Sequence, residues 1–423
     1  MSGPARPVAR GAKKRLFLRD RAVVYTGNGF RAVPLTRTLA DLERFFLTSG
    51  VEVQLTAATR PGERPGCSVL GYLSPAGPEA DERYFGKGAG RDQALASACM
   101  EFIERAAAKM RPDDARVRAS FADLGSDARD PRLFSLAADS AFDPGKPISW
   151  CWGYSLTRAR PVLVPANLVF LPFHPDVGED AIAWSDSNGL ASGNTLEEAV
   201  LHALLEVVER DASITAEYNR LPLPRLRMDG AAGAWSALLA SLEAEGFECS
   251  AAAVPTDHAI PIVSVFLRKR ADPANCAVAF GCYLDPAVAV SRALTEAIQL
   301  LPPPPIRHAW SLTDSPARYA AAPSAEIALA SLKNLARDGL KANIERCVAI
   351  LEKIGSEVIV VDLSVPDIPF PAVRVLATGL QPIAHREHLR LSRRFFDVPV
   401  TLGLRREPIP RDQIEIWPLC GYQ

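Results

Sequence analysis

No CxxC pair occurs among the eight cysteines, Cys67, Cys99, Cys151, Cys249, Cys276, Cys282, Cys347 and Cys420, so neither a zinc ribbon nor a dithiol redox motif is present. Buried free thiols in a reducing cytosol are expected instead, and with them a cytoplasmic location. No run of eighteen apolar residues exists, which argues against a transmembrane helix and a membrane role. No charge of one sign prevails: 48 basic and 49 acidic residues leave a net charge of −1. The global electrostatic footprint of a nucleic-acid binder is therefore missing. Also absent are a Walker A loop, a dinucleotide-binding GxGxxG, a GxSxG elbow, an HExxH helix and any nucleophile–histidine pattern. The six histidines are scattered, and His385 and His388 have metal-ligand spacing only in the loosest sense.

What is present is an ordinary globular composition, 48% hydrophobic and 23% charged over 423 residues, enough for a substantial core. The N-terminus is basic (Arg6, Arg10, Lys13, Lys14, Arg15), but Arg19, Asp20 and Arg21 interrupt before any apolar stretch, which argues against a secretory signal. Residues 1–20 are expected to form a disordered tail, residues 21–85 an N-terminal segment of the domain, and residues 86–423 the core with a C-terminal tail. Periodicity predicts helices at Leu39 to Leu47, Gln93 to Met110, Thr195 to Tyr218, Pro286 to Leu301 and Ala325 to Ile354. Strands are predicted at Val51 to Leu55, Val162 to Pro165, Ile260 to Phe266, Ala277 to Leu284 and Val358 to Leu363. The alternation gives an α/β fold, and Pro302 to Pro305 end a helix.

The most informative feature is an internal echo. Glu101-Phe-Ile-Glu104-Arg105 and Glu206-Val-Val-Glu209-Arg210 repeat one pattern about a hundred residues apart, each on a helical run behind a glycine-containing turn. At about 100° per residue, Asn194, Glu198, Glu206 and Glu209 share one stripe, and Val200, Leu204, Val207 and Val208 lie opposite. Leu205 and His202 also fall in the stripe, the histidine in a structural role. In the first copy Ser97, Glu101 and Glu104 share a face. Like charges without an intervening lysine repel unless something positive sits among them. Carboxylates from two helices suit Mg²⁺, which takes oxygen ligands and bridges them to phosphates. Asn194 can add an oxygen, and Arg210 and Arg292 can pair with phosphate oxygens. The pattern is equally that of two exposed acidic helices whose acids pair with arginine on the same helix. Gly86-Lys87-Gly88-Ala89-Gly90 is loosely spaced like a phosphate loop and stands directly before the first acidic helix.

At these residues the chain resembles the YcaO family. Gly86-Lys87-Gly88, Ser97 and Glu101-x-x-Glu104-Arg105 look like the family's first nucleotide segment. Ser187-Asn188-Gly189-Leu-Ala191-Ser-Gly193-Asn194-Thr195 with Glu198 and Glu206-x-x-Glu209-Arg210 is similar to its second, and Ser291-Arg292-Ala-Leu-Thr-Glu296 to its third. The likeness runs from about residue 60 to 405. It implies a YcaO-type fold in which the echoed acidic helices pack on mixed β-sheets. It implies Mg²⁺ held by Glu101, Glu104, Glu198, Glu206 and Glu209, and ATP contacted by Lys87, Ser97, Asn194, Arg210 and Arg292. Glu101, Glu206 and Arg292 would be the groups closest to the chemistry. Ala191 stands where some members carry serine.

Within the family, Leu294-Thr-Glu296-Ala-Ile-Gln299-Leu-Leu-Pro302 and Arg394-Phe-Phe-Asp397-Val-Pro399-Val-Thr-Leu-Gly403 are similar to the azoline-forming cyclodehydratases. There a Cys, Ser or Thr of a ribosomally made precursor peptide attacks the preceding carbonyl, and ATP removes the oxygen to leave a thiazoline or oxazoline. That branch ends in a PxPxP tail; this chain ends Trp417-Pro418-Leu-Cys420-Gly421-Tyr422-Gln423, where Trp417 and Tyr422 are expected to anchor in place of prolines. The resemblance also implies a separate leader-peptide-binding, E1-like or TfuA-like partner protein and a homodimer. Thioamidation with a TfuA-like partner and a non-catalytic nucleotide-binding scaffold are the rival readings.

Overall fold

The computed structural model describes residues 12–26, 29–49, 53–56, 69–72, 83–88, 90–228, 235–301, 319, 322, 325–383 and 390–414. The Pro302 to Pro305 run, His385, His388, Cys67, Cys420 and the Trp417–Tyr422 tail lie outside the described residues. The strands are β1 (Val24–Thr26), β2 (Gly29–Arg31), β3 (Val53–Thr56), β4 (Val69–Tyr72), β5 (Arg83–Phe85), β6 (Val117–Ser120), β7 (Pro147–Ser155), β8 (Arg160–Pro165), β9 (Leu190–Ser192), β10 (Arg225–Arg227), β11 (Phe247–Ala253), β12 (Ile262–Lys269), β13 (Asp272–Cys282), β14 (Glu326–Ala328), β15 (Val358–Asp362) and β16 (Ala372–Ala377). The helices are α1 (Leu35–Ser49), α2 (Arg91–Ala108), α3 (Phe121–Leu124), α4 (Leu196–Tyr218), α5 (Ser236–Ala244), α6 (Pro286–Leu300), α7 (Leu340–Lys353) and α8 (Arg393–Thr401). Among the described residues no helix is long and apolar enough to cross a membrane.

Two larger sheets frame the molecule. One runs β6-β7-β15-β16-β9 with β8 also on β7; the other runs β13-β12-β11-β10-β14. Their described pairs are antiparallel except β10 with β14, so the α/β fold has the mixed sheets expected. A small β3-β4-β5 sheet and a β1-β2 hairpin carry the N-terminal part. Helix α4 links the two larger sheets, packing on β9 and β16 and also reaching β13. Its apolar side, Val200, Leu201, Leu204 and Val208, enters one core with Val263 and Val265 of β12 and Ala289 and Ala293 of α6. Leu205, which the helical wheel assigned to the polar stripe, is buried in that core.

Two expectations are corrected. Residues 12–20 are not a free tail: Leu16 is buried in the main core, Lys14 Nζ pairs with Asp362 at 2.7 Å, and the Arg19 amide donates to Glu197 at 2.7 Å. Leu18 packs against the same core, so the apolar side chains among the basic residues dock the segment. The helix expected over Ala325 to Ile354 is instead β14, a 3-10 turn at Leu329–Ser331 and α7. Gly339, at φ +101°, turns the chain into α7 in a conformation other residues resist.

Candidate active site

The turns before the two echoed helices bring backbone against helix. An added Cβ at Gly86 would lie 1.8 Å from Ala94 O and 2.4 Å from Ala98 N, so only glycine lets the β5–α2 turn rest on α2. At Gly193 the same methyl would meet Ala199 N at 2.6 Å. The Thr195 hydroxyl then caps α4, accepting from the Glu198 amide at 3.3 Å. These close approaches fix where each acidic run begins.

The acids of α2 and α4 face one another. Arg105 reaches Glu101 at 3.4 Å and Glu104 at 3.8 Å; Arg210 reaches Glu206 at 3.5 Å; and Glu209 accepts the Cys282 amide of β13 at 2.8 Å. Burial lifts the Glu104 carboxyl well above the usual range, and the charges of Glu206 and Glu101 push it further against the pull of Arg105 and Arg374. Burial also lifts Glu206, with Glu209 adding and Arg210, Arg105 and Arg374 opposing. Glu104 and Glu206 nevertheless keep 17% and 24% of their side-chain surface open, so a ligand can reach them. Among the described residues no three acidic, His or Cys side chains converge into a ready metal cage. That suits Mg²⁺, which takes a few carboxylates and completes its shell with water and phosphate.

Cations line the same group. Lys87 pairs with Glu296 of α6. Burial, then the Arg292 and Arg210 guanidiniums, hold the Lys87 ammonium down to about 8, while Glu209 and Glu206 pull the other way. Among the described residues Arg292 Nε is buried without a hydrogen-bond partner. An unspent guanidinium donor beside Lys87 and Arg210 is what an anionic ligand requires.

Glu198 and Asn194 are engaged by partners of their own. Glu198 accepts the Ala32 amide at 3.0 Å, takes both Asn194 Nδ2 contacts at 3.2 Å and pairs with Arg31 at 3.6 Å. The Thr38 hydroxyl donates to Asn194 Oδ1 at 2.9 Å. His202 bonds Arg31, and burial followed by the Arg31 and Arg292 charges holds its pKa well below the usual value, so it is a neutral structural partner. Ser97 lies half-buried one turn before Glu101. Arg31, Thr38, the Cys282 amide and Arg374, which bonds Asp186 at 2.8 Å, were not legible as site residues. None belongs to a local pattern; each arrives from a distant strand or helix.

A family model described as YcaO cyclodehydratase, ATP- and Mg²⁺-binding, matches residues 85–381. The chain is 33% identical over 338 residues to an uncharacterized protein of Methanothermobacter thermautotrophicus, covering 75% of this chain and 87% of the relative. It is 34% identical over 235 residues to a protein of the tfuA 3′ region of Rhizobium leguminosarum bv. trifolii, covering 51% and 53%. Among solved structures, a YcaO from Methanopyrus kandleri bound with AMPPCP and Mg²⁺ superposes with a TM-score of 0.67 at 30% identity, over 85% of this chain and 94% of that one. A heterocyclase in complex with substrate and cofactor shares the fold, with a TM-score of 0.83 at 24% identity over 97% of this chain; the match spans 59% of that longer protein.

Proposed function

The chain belongs to the YcaO family and is an ATP- and Mg²⁺-dependent enzyme, and we propose that it activates backbone amides of a peptide, closing Cys, Ser or Thr onto the preceding carbonyl as an azoline. The observation that carries the reading is the meeting of Glu101 and Glu104 with Glu206 and Glu209 beside Lys87, Arg210 and the unpartnered Arg292 Nε. The four acids would hold Mg²⁺. Lys87, Arg210 and Arg292 would take phosphate oxygens, Ser97 and Asn194 would serve the nucleotide from the two helix starts, and Glu198 would join the Mg²⁺ ligands only on leaving Arg31 and the Ala32 amide. Bound ATP supplies the phosphoryl group that takes up the amide oxygen. The chain's own residues orient phosphate and peptide and neutralise charge. No protein nucleophile is needed, in keeping with a sequence that has no triad.

Ring formation is supported by the cyclodehydratase family match and by the likeness of residues 294–302 and 394–403 to ring-forming members. A second reading, thioamidation with a TfuA-like partner, is favoured by the relative encoded in a tfuA 3′ region. Either reading includes a separate partner protein that presents the peptide, and a homodimer. Calorimetry tests the site: Mg²⁺–ATP should bind the wild type, and a folded Glu206→Ala protein with unchanged affinity would sink the assignment. Mass spectrometry of a Cys-containing peptide tests the product. Loss of water marks the azoline, and exchange of oxygen for sulfur marks the thioamide.

A further inference from the structure

Helix α4 continues two turns beyond Arg210, and its last turn carries an acid that the nucleotide site does not use. Glu217 follows Glu206 by eleven residues of unbroken helix, which places it about 20° from Glu206 around the axis and about 16 Å further along it. It therefore lies on the same stripe, on the far side of Ser213 from the phosphate-binding cluster. Its side chain is 8% exposed, and among the described residues its carboxyl makes no hydrogen bond or ion pair. Around it stand Tyr218 and Tyr319, the latter donating from its hydroxyl to the Ala216 and Leu221 carbonyls at 3.1 and 2.6 Å. Helix α8 closes the neighbouring face through Phe395 against Ile214 and Tyr218, and the Asn219 amide donates to Phe395 O at 2.9 Å.

A buried carboxyl with no partner is costly when ionised. Burial alone raises its pKa to about 8, so the group keeps its proton at neutral pH. A protonated carboxyl offers one O–H donor and one carbonyl acceptor side by side. That pair matches the N–H and C=O that one residue of an extended peptide presents on the same side; it does not match phosphate or Mg²⁺, which want a cation or a carboxylate.

We propose that Glu217 is a substrate-binding residue, whose carboxyl pairs with the backbone N–H and C=O of one residue of the peptide beyond the group being modified. The assignment rests on the nucleotide reading of the Glu206 end of the stripe. It adds a contact that selects for an extended backbone and is indifferent to side-chain identity.

The test uses the full chain with Mg²⁺–AMPPCP and a capped, uncharged Cys-containing pentapeptide. Difference infrared spectra of wild type and Glu217→Gln isolate the protonated-carboxyl band. Adding peptide to the nucleotide-bound wild type shifts that band. Peptide affinity falls about ten-fold in Glu217→Leu, where the donor and acceptor are both lost, while AMPPCP affinity is unchanged. Glu217→Gln, which keeps a donor and an acceptor, binds peptide close to wild type. Peptide affinity of the wild type weakens as pH rises through about 8, and that of Glu217→Gln does not. Lys87 titrates in the same range but is common to both proteins, and burial holds the Tyr218 and Tyr319 phenols protonated above it. If Glu217→Leu does not fold, the infrared and pH comparisons with Glu217→Gln stand without it. A band that peptide does not move, or a Glu217→Leu protein that binds peptide as wild type does, overturns the proposal. Failure of Mg²⁺–AMPPCP to bind the wild type overturns the nucleotide reading instead, and the Glu217 assignment with it.

Discussion

A single methyl group at Gly281 should damage both stability and the nucleotide site. Gly281 lies in β13 under α6, next to Cys282, whose amide anchors Glu209. An alanine Cβ there would sit 2.3 Å from Ala289 O, 2.4 Å from Ala293 N and 3.0 Å from Arg292 Cβ. Ordinary contact starts near 3.4 Å, and the first two atoms are helix backbone, so α6 must retreat by about an ångström as a body. Overpacking of this kind costs about 1–3 kcal/mol. The shift also carries Arg292 and Glu296, the partner of Lys87, away from α4. Gly281→Ala should therefore lower Tm by a few degrees in a thermal melt and weaken Mg²⁺–ATP binding about ten-fold by calorimetry. Gly145→Ala is the matched control, since its Cβ would touch only Asp143 Oδ1 at 3.4 Å. A Gly281→Ala protein with wild-type Tm and wild-type nucleotide affinity refutes the reasoning.

Mg²⁺–ATP binding should release protons just above the ordinary carboxyl range, because burial lifts the Glu104 and Glu206 carboxyls in the free protein and they must give up their protons to a metal. Calorimetry in buffers of different ionisation enthalpy reads this directly, and a buffer-independent heat counts against it. Glu217→Gln should become more stable relative to wild type as pH rises. The native carboxyl, at about 8 against 4.5 unfolded, binds the extra proton between those values, so wild-type stability falls across that window and the penalty is complete above it. The difference approaches about 5 kcal/mol as an upper bound, and urea melts at pH 5 and pH 9 check its sign.

The long helices α2, α4 and α6 were legible in the sequence because each has an apolar face with a 3.6-residue period, and they begin and end within two residues of expectation, whereas the short α3, α5 and α8 were not foreseen. The acid cluster was half legible. The ExxER echo named its carboxylates, but the sequence left open whether two exposed helices or one facing pair was meant. The facing pair is supported by Glu104, whose carboxyl is raised in part by the charge of Glu206 on the other helix. The sequence also grouped Glu198 with Glu206 because both lie on one stripe. A stripe fixes direction and not distance along the axis, and Arg31 with the Ala32 amide captures Glu198 from 166 residues upstream. Backbone donors such as the Cys282 amide carry no residue signature at all. The α7 boundary was missed for a local reason, a glycine at positive φ inside a run otherwise rich in helix formers.

The two copies of the motif have divided their labour, and the division is measurable. In each copy the first Glu meets its own Arg four residues on, Glu101 with Arg105 and Glu206 with Arg210, as helix geometry dictates. The second Glu differs. Glu209 is spent on the Cys282 amide and ties α4 to β13, whereas among the described residues Glu104 has only the longer 3.8 Å contact with Arg105 and lies within electrostatic reach of Glu206. Without metal, Glu104 is thus a burden on the fold and Glu209 a support. Glu104→Gln should raise the melting temperature of the ligand-free protein while weakening Mg²⁺–ATP binding, since it removes a buried like-charge neighbour and a proposed metal ligand together. Glu209→Ala should lower the ligand-free melting temperature, by about 1–3 kcal/mol of lost satisfaction for the Cys282 amide, and Glu209→Gln should recover most of it because its amide oxygen still accepts. Opposite signs for Glu104→Gln and Glu209→Ala in the absence of ligand are the signature of the divided motif. Two equal destabilisations would show that the copies act alike and that the asymmetry of their contacts has no energetic weight.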